Sequence, residues 1–261
     1  MDSGSYKCYH ADEFDPKDHL ATYCSPDSDK TLFEELFLFP MGVFQRWQSS
    51  GNFKLGSLID FSSGPLVFHL FAISDYVTSI TILETNDFCV KEMERWINKE
   101  QEAFDWSHFI EAFPEVEGDS KKWIEKEETL RKKIKSIINF DVKKPNPIEP
   151  NILEKADSLV SIYLHQHVSK DKEEYCRILA ILSSFIRVGG RLILVGAFNK
   201  SFYKIGEHKF HSLPMDEDFV RRSVADAGFT IECLEIFKSK LSSDITDHDA
   251  IWILIAVKVR E

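Results

Sequence analysis

The chain lacks the motifs that would name a function directly. It contains neither a G-x-G-x-x-G nor a G-x-x-x-x-G-K-[ST]. A dinucleotide is therefore disfavoured and a P-loop excluded. It has no C-x-x-C pair, and its cysteines, Cys8, Cys24, Cys89, Cys176 and Cys233, are odd in number and scattered. That argues against a zinc site and for free thiols in a reducing compartment, so we expect no metal and a cytoplasmic location. No apolar run is long enough to span a bilayer. The first residues, MDSGSYKCYHADEFD, carry no apolar core, and no signal peptide is expected. Basic residues are in deficit, with 32 Lys and Arg against 43 Asp and Glu, a net charge of -11. Such a surface repels phosphate backbones and anionic lipid, so neither nucleic acid nor membrane is an expected partner. No internal repeat appears.

What is present is ample core material. Hydrophobic residues are 43% of the chain, and 261 residues suit one large domain, 1–261, better than two. Within it, residues 1–50 read as a cap. Residues 31–39, TLFEELFLF, have helical spacing, and Pro40 is expected to end or bend that helix. From Leu55 strands and helices alternate. Strands are expected at 57–61, 79–83, 137–142, 156–163 and 191–198. Helices are expected at 66–73, 88–98, 121–137, 173–186 and 215–227. Phe88, Met93, Trp96 and Ile97 are the inward positions of the second helix, and Gly189-Gly190 is read as the stop of the fourth. Two further strands, 230–237 and 251–259, have no helix between them and can pair antiparallel. The alternation predicts an α/β fold with a parallel, doubly wound sheet.

In such a sheet ligands sit beyond the carboxyl ends of the strands. Four ends carry candidate residues. The first is the turn at 60–64, Asp-Phe-Ser-Ser-Gly. The second is Glu84, an acid placed to accept ribose hydroxyls. The third is Asp141-Val142, and the fourth is 161–163. One glycine followed by proline disfavours a pyrophosphate, which leaves a nucleoside without phosphates.

These residues carry a resemblance. LIDFSSGPL at 58–66 is similar to a family turn that reads LIDIGSGPT, and FDPKDHLATYC at 14–24 to an FxPxDYLxxYY element. EAFDWS at 102–107, YCR at 175–177, the Gly189-Gly190 pair and IGEHKFHSLP at 205–214 extend the likeness over almost the full length. The chain resembles the small-molecule N-methyltransferases that include the nicotinamide, phenylethanolamine and indolethylamine enzymes, and the nicotinamide branch most nearly. The resemblance implies a class I S-adenosylmethionine-dependent methyltransferase, with a Rossmann-like seven-stranded sheet, its last strand antiparallel, and an N-terminal helical cap. It implies S-adenosylmethionine as cofactor, S-adenosylhomocysteine as product, a small-molecule amine partner and a monomer. Family chemistry is attack of a neutral amine or pyridine nitrogen on the sulfonium methyl, with alignment supplying most of the rate.

Carried over position by position, Tyr23, Ser63, Gly64, Asp141 and Val142 match cofactor contacts, and Glu84 replaces an Asp. Cys24 and Phe68 stand for tyrosines, Cys89 for an Asn, Ile162 for a Thr, and Ser62 for the first glycine of the turn. If position 62 needs φ > 0, serine there costs about 1 kcal/mol or somewhat more. On the acceptor side His19 replaces a tyrosine and is the candidate general base. Gly196 replaces the Asp that anchors the acceptor, Lys200 replaces a Ser, and Leu241 an aromatic. Tyr203 and Ser212 are retained, and Tyr163 adds an aromatic. Without the acid at 196 the site loses its hold on a carboxamide, and Lys200 repels a cation, so nicotinamide is not the expected acceptor. Two functions follow. One is an N-methyltransferase for another small amine or pyridine-type acceptor. The other is a catalytically impaired methyltransferase-fold protein kept for binding or as an abundant structural protein.

Overall fold

The computed structural model describes residues 6–10, 13–51, 54–113, 119–242 and 244–261. Its cap is built from α1 (Pro16–Cys24), α2 (Lys30–Phe33), a π-helical turn (Glu34–Leu38) and α3 (Phe39–Gly51). The alternating part follows as β1 (Gly56–Asp60), α4 (Phe68–Ile73), β2 (Val77–Glu84), α5 (Asp87–Ile97), α6 (Ser120–Lys133), β3 (Ile134–Asn139) and β4 (Ala156–Ile162). Then come α7 (Leu164–Val168), α8 (Lys172–Ser184), β5 (Ile186–Phe198), a hairpin of β6 (Phe202–Ile205) and β7 (His208–His211), α9 (Glu217–Asp226), β8 (Phe229–Lys238) and β9 (Ala250–Lys258).

Seven strands form one sheet in the order β3-β2-β1-β4-β5-β9-β8. β1 to β5 run parallel, and β9 is antiparallel to both of its neighbours. The last strand inserts there because AIWILIAVK is apolar almost throughout. All but one of its residues are buried, which a strand tolerates only with partners on both edges and cover on both faces. β1 has β2 on one side and β4 on the other, so the chain leaves it in opposite directions. That switch point opens a crevice at the ends marked by Asp60, Glu84 and Ile162.

Some local expectations are corrected. Pro40 does not end the helix. The chain passes through the π-helical turn and continues as α3 to Gly51. In an α-helix residue 40 would donate to the carbonyl of Leu36, and proline cannot. The Tyr163 phenol donates to that carbonyl instead, at 3.0 Å. Gly189 and Gly190 do not stop α8. The helix ends at Phe185, whose N–H bonds back to Leu182 and Ser183, and both glycines lie inside β5. α6 ends at Lys133 and β3 starts at once, so the helix expected to 137 is shorter. Phe88 is exposed, and the buried stripe of α5 runs through Cys89, Met93 and Trp96. Met93 and Trp96 are inward as the apolar pattern suggests; the Asn86 side chain caps the helix at its start, where Cys89 and not Phe88 is the first buried position.

Tyr163 joins the cap to the sheet. It sits at φ +60°, a conformation that costs a non-glycine residue of order 1–3 kcal/mol, and its phenol is buried on the cap. Tyr163→Phe is expected to lower stability by about 1–3 kcal/mol, because the Leu36 carbonyl loses its donor. Urea denaturation compared with wild type measures this.

Candidate functional site

The turn after β1 remains zipped to β4. Phe61 N–H donates to Val160 at 2.8 Å and Ser63 N–H to Ile162 at 2.9 Å. Ser62 does not have a positive φ, so the glycine it replaces leaves no conformational strain behind. Its hydroxyl donates to Asp60 and accepts the Ile162 N–H at 3.2 Å. Asp60 also holds His69 at 3.0 Å. The left-handed residue of the turn is Gly64, at φ +73°. A Cβ there would lie 2.4 Å from the His19 ring, so glycine is required both by conformation and by the close approach of α1.

Glu84, at the end of β2, is fully buried with no cation paired to it among the described residues. Its carboxylate accepts the N–H groups of Thr85 at 2.6 Å and Asn86 at 2.9 Å. Burial pushes its pKa up to about 8 against those hydrogen bonds. The remaining partner comes from the N-terminal segment. Tyr9 Oη lies 2.9 and 3.1 Å from the two carboxylate oxygens, and it accepts the Gly64 N–H at 2.8 Å. It also lies 3.4 Å from Cys89 Sγ. One phenol thus bridges the ends of β1 and β2. The Asn86 amide holds the Tyr9 carbonyl at 3.0 Å, and Lys7 pairs with β7 through its N–H to Lys209 and its carbonyl from His211. Phe14 packs edge-on against the Tyr9 ring at 4.7 Å.

On the other side of the turn lies a buried polar line. Ser63 Oγ is 3.1 Å from His167 Nδ1, and His167 Nε2 is 3.3 Å from Lys200 Nζ. The His167 ring stacks on Tyr203 at 4.0 Å. Burial lowers Lys200 to about 7 and holds His167 far below its usual range. His19 is lowered to about 3 by burial and by Lys200. At that value it is too weak a base to take a proton near neutrality, contrary to the role expected for it.

A family model described as the NNMT/PNMT/TEMT family matches residues 5–259. The chain belongs to this family. Human nicotinamide N-methyltransferase is 32% identical over 260 residues, covering 99% of this chain and 98% of that one. Indolethylamine N-methyltransferase of Oryctolagus cuniculus is 29% identical, covering 94% of this chain and 93% of that one. Phenylethanolamine N-methyltransferase of Macaca mulatta is also 29% identical, covering 94% and 89%. Among solved structures, magnesium protoporphyrin IX methyltransferase from Synechocystis PCC 6803 with bound SAM superposes with a TM-score of 0.54. It is 13% identical and covers 93% of this chain and 90% of that one, so it bears on the fold alone.

The remaining family positions are scattered in role. The Tyr23 phenol donates to the Lys204 carbonyl at 2.8 Å. The Cys24 carbonyl accepts from His108 at 2.7 Å. Phe68 packs among Phe33, Phe37, Phe109 and Phe113. With Ile162 it lines a narrow apolar cleft between the cap and the sheet. Asp141 closes its own turn by accepting the Lys143 N–H at 3.0 Å, and the Val142 carbonyl accepts from Arg177 at 2.6 Å. Tyr203 Oη and Ser212 Oγ are buried without a hydrogen-bond partner among the described residues. Gly196 sits opposite Trp252 in the β5–β9 ladder, and a Cβ on it would lie 2.4 Å from the indole. The indole of Trp252 therefore leaves no room for a side chain at position 196. Tyr9, His167 and Trp252 are the site residues that sequence reasoning missed. The His-x-His of LHQHVS after β4 offered a faint signal for His167, and nothing marked Tyr9.

Two outcomes are expected. Gly196→Asp alone destabilises by about 1–3 kcal/mol through overpacking, and Trp252→Ala combined with it recovers part of that loss, as thermal unfolding of the two variants would show. The second concerns pH. His19, His165 and His167 stay neutral in the fold well below 6.5, where the unfolded chain takes up protons, so their contribution is present above pH 6.5 and lost as pH falls. Glu84 acts in the opposite sense between 4.5 and about 8. At pH 5 to 6 unfolding is therefore expected to take up protons on these histidines, offset in part by the one that Glu84 releases. Glu84→Gln is expected to steepen that dependence in urea titrations.

Proposed function

We propose that the chain is an S-adenosylmethionine-dependent N-methyltransferase for a small amine or pyridine-type acceptor other than nicotinamide. The carrying observation is the pair of groups at the β1 and β2 ends. Glu84 presents two acceptor oxygens to a hydroxyl, and Gly64 presents an N–H beside it. The chain's own phenol now uses both, and a ribose diol has the same needs. That donor and acceptor set fits the cofactor, which supplies an electrophilic methyl on sulfur when bound. Glu84 would hold its hydroxyls, and Ser63 and Gly64 the neighbouring part. Asp141 and Val142 would lie by the base. Family membership and the relatives' printed names support the same reaction class.

Tyr9 must leave Glu84 for that to happen, so phenol and cofactor compete for one carboxylate. The apolar surroundings of the turn, with Phe14 and Phe61 fully buried, keep water from the reacting atoms once the cap is closed. Exclusion of nicotinamide rests on Gly196, which offers no carboxylate, and on Trp252 in its place. A second reading, a methyltransferase fold kept without catalysis, is favoured by the same occupancy: Tyr9, His19 and Lys200 together fill the space around the turn. We also read residues 1–261 as one domain with 1–50 as its cap, monomeric and cytosolic. The scattered free thiols support that location. Among the described residues no helix is long and apolar enough to cross a membrane.

Calorimetric titration with S-adenosylmethionine and S-adenosylhomocysteine tests the proposal. Binding in the micromolar range, weakened at least about tenfold by Glu84→Gln, is the expected result. No heat at millimolar ligand would leave the non-catalytic reading.

A further inference from the structure

Lys200 is a buried lysine without an acid. Its side chain is 4% exposed, and among the described residues the hydrogen-bonding atom beside its Nζ is a histidine nitrogen, His167 Nε2 at 3.3 Å. Two acids in this part of the fold are engaged elsewhere. Asp247 is exposed and accepts the Ser201 and Phe202 N–H groups and the Ser201 hydroxyl. Glu35 accepts from Ser239, from the Lys240 N–H and from His248. An ammonium in such a place lacks the counter-ion that burial demands.

The same corner holds two more unanswered groups. Tyr203 Oη and Ser212 Oγ are buried and without partners among the described residues. The Tyr203 ring is 4.9 Å from Lys200 Nζ, and Ser212 N–H bonds to the carbonyl of Ser201, next in the chain to Lys200. Tyr163 stands on the other side, 5.4 Å from the same nitrogen. A cation, two hydroxyl donors and two aromatic walls suit a flat anion. A carboxylate beside Lys200 would supply the counter-ion that its ammonium lacks, through a charge-assisted hydrogen bond. Gly196 adds no negative charge that would oppose it. A cationic acceptor would meet Lys200 as a like charge.

We propose that Lys200, with the hydroxyls of Tyr203 and Ser212, is the anion-recognition point of the acceptor site, and that the acceptor is an aromatic nitrogen compound carrying a carboxylate. The acceptor role rests on the methyltransferase reading; the anion site itself does not. Access requires displacement of α1 and the N-terminal segment, the elements that also carry His19 and Tyr9.

The test is calorimetric titration of the full chain with nicotinate, benzoate and nicotinamide, each with and without S-adenosylhomocysteine. Both carboxylates are expected to bind at least about tenfold tighter than the amide. Lys200→Met is expected to erase that preference and Tyr203→Phe to reduce it, with Lys200→Gln as the milder variant should the first not fold. Equal binding of amide and carboxylates, no carboxylate binding at roughly 10 mM, or an undiminished preference without Lys200 would each overturn the proposal. Failure of the methyltransferase reading is seen separately, as absence of S-adenosylhomocysteine binding while the carboxylates still bind through Lys200.

Discussion

A carboxylate buried without a cation is the constraint on which the cap depends. Glu84 lies at the end of β2, where the sheet brings it next to the β1 turn, and burial alone favours its neutral form. Two backbone N–H groups are not enough for four lone pairs. The Tyr9 phenol supplies a further donor and takes the Gly64 N–H in return. The consequences spread along the N-terminal segment. Lys7 is held on β7, Phe14 on Tyr9 and Phe210, and His19 over Gly64, where only a glycine leaves room. Closing the cap and satisfying Glu84 are one event.

Lys200 is the counterpart of opposite sign. It sits across the Ser63–His167 line from the turn, also buried and also without a counter-ion. The fold therefore carries a lone acid on one side of its ligand turn and a lone base on the other. Neither arrangement favours stability by itself, since each leaves a charge or its neutralisation as a cost in the interior. Under the proposed function they are the positions for ligand groups, hydroxyls at Glu84 in place of the Tyr9 phenol and an anion at Lys200. This contrasts with Glu35 and His248, a buried pair whose needs are met within the fold.

Much of the sheet was legible because apolar runs and strand–helix alternation fix it locally. The two uninterrupted C-terminal strands pointed to the antiparallel edge that β8 and β9 form. Glu84 was legible too, as an acid at a strand end. What escaped were contacts across long sequence distances. Tyr9 lies in a polar stretch without periodicity, 75 residues from Glu84. Gly196 looked like a lost functional group, and only the β5–β9 register shows that Trp252 lies against it and leaves no room for a side chain. Pro40 read as the end or a bend of its helix because its missing donor was visible; that the helix continues past it was not, since the compensating Tyr163 phenol lies far off in sequence. Ser62 looked strained because the turn's need for positive φ was assigned one glycine too early; Gly64 meets it.

The central claim is competition between Tyr9 and a bound nucleoside for Glu84 and the Gly64 N–H. Its most direct measurement is the affinity of Tyr9→Ala for S-adenosylhomocysteine relative to wild type. Removing the competitor should tighten binding by about tenfold, the worth of a hydrogen bond to a charged group. Equal or weaker binding by the variant would contradict the account, because Tyr9 would then be a bystander or a support for the ligand.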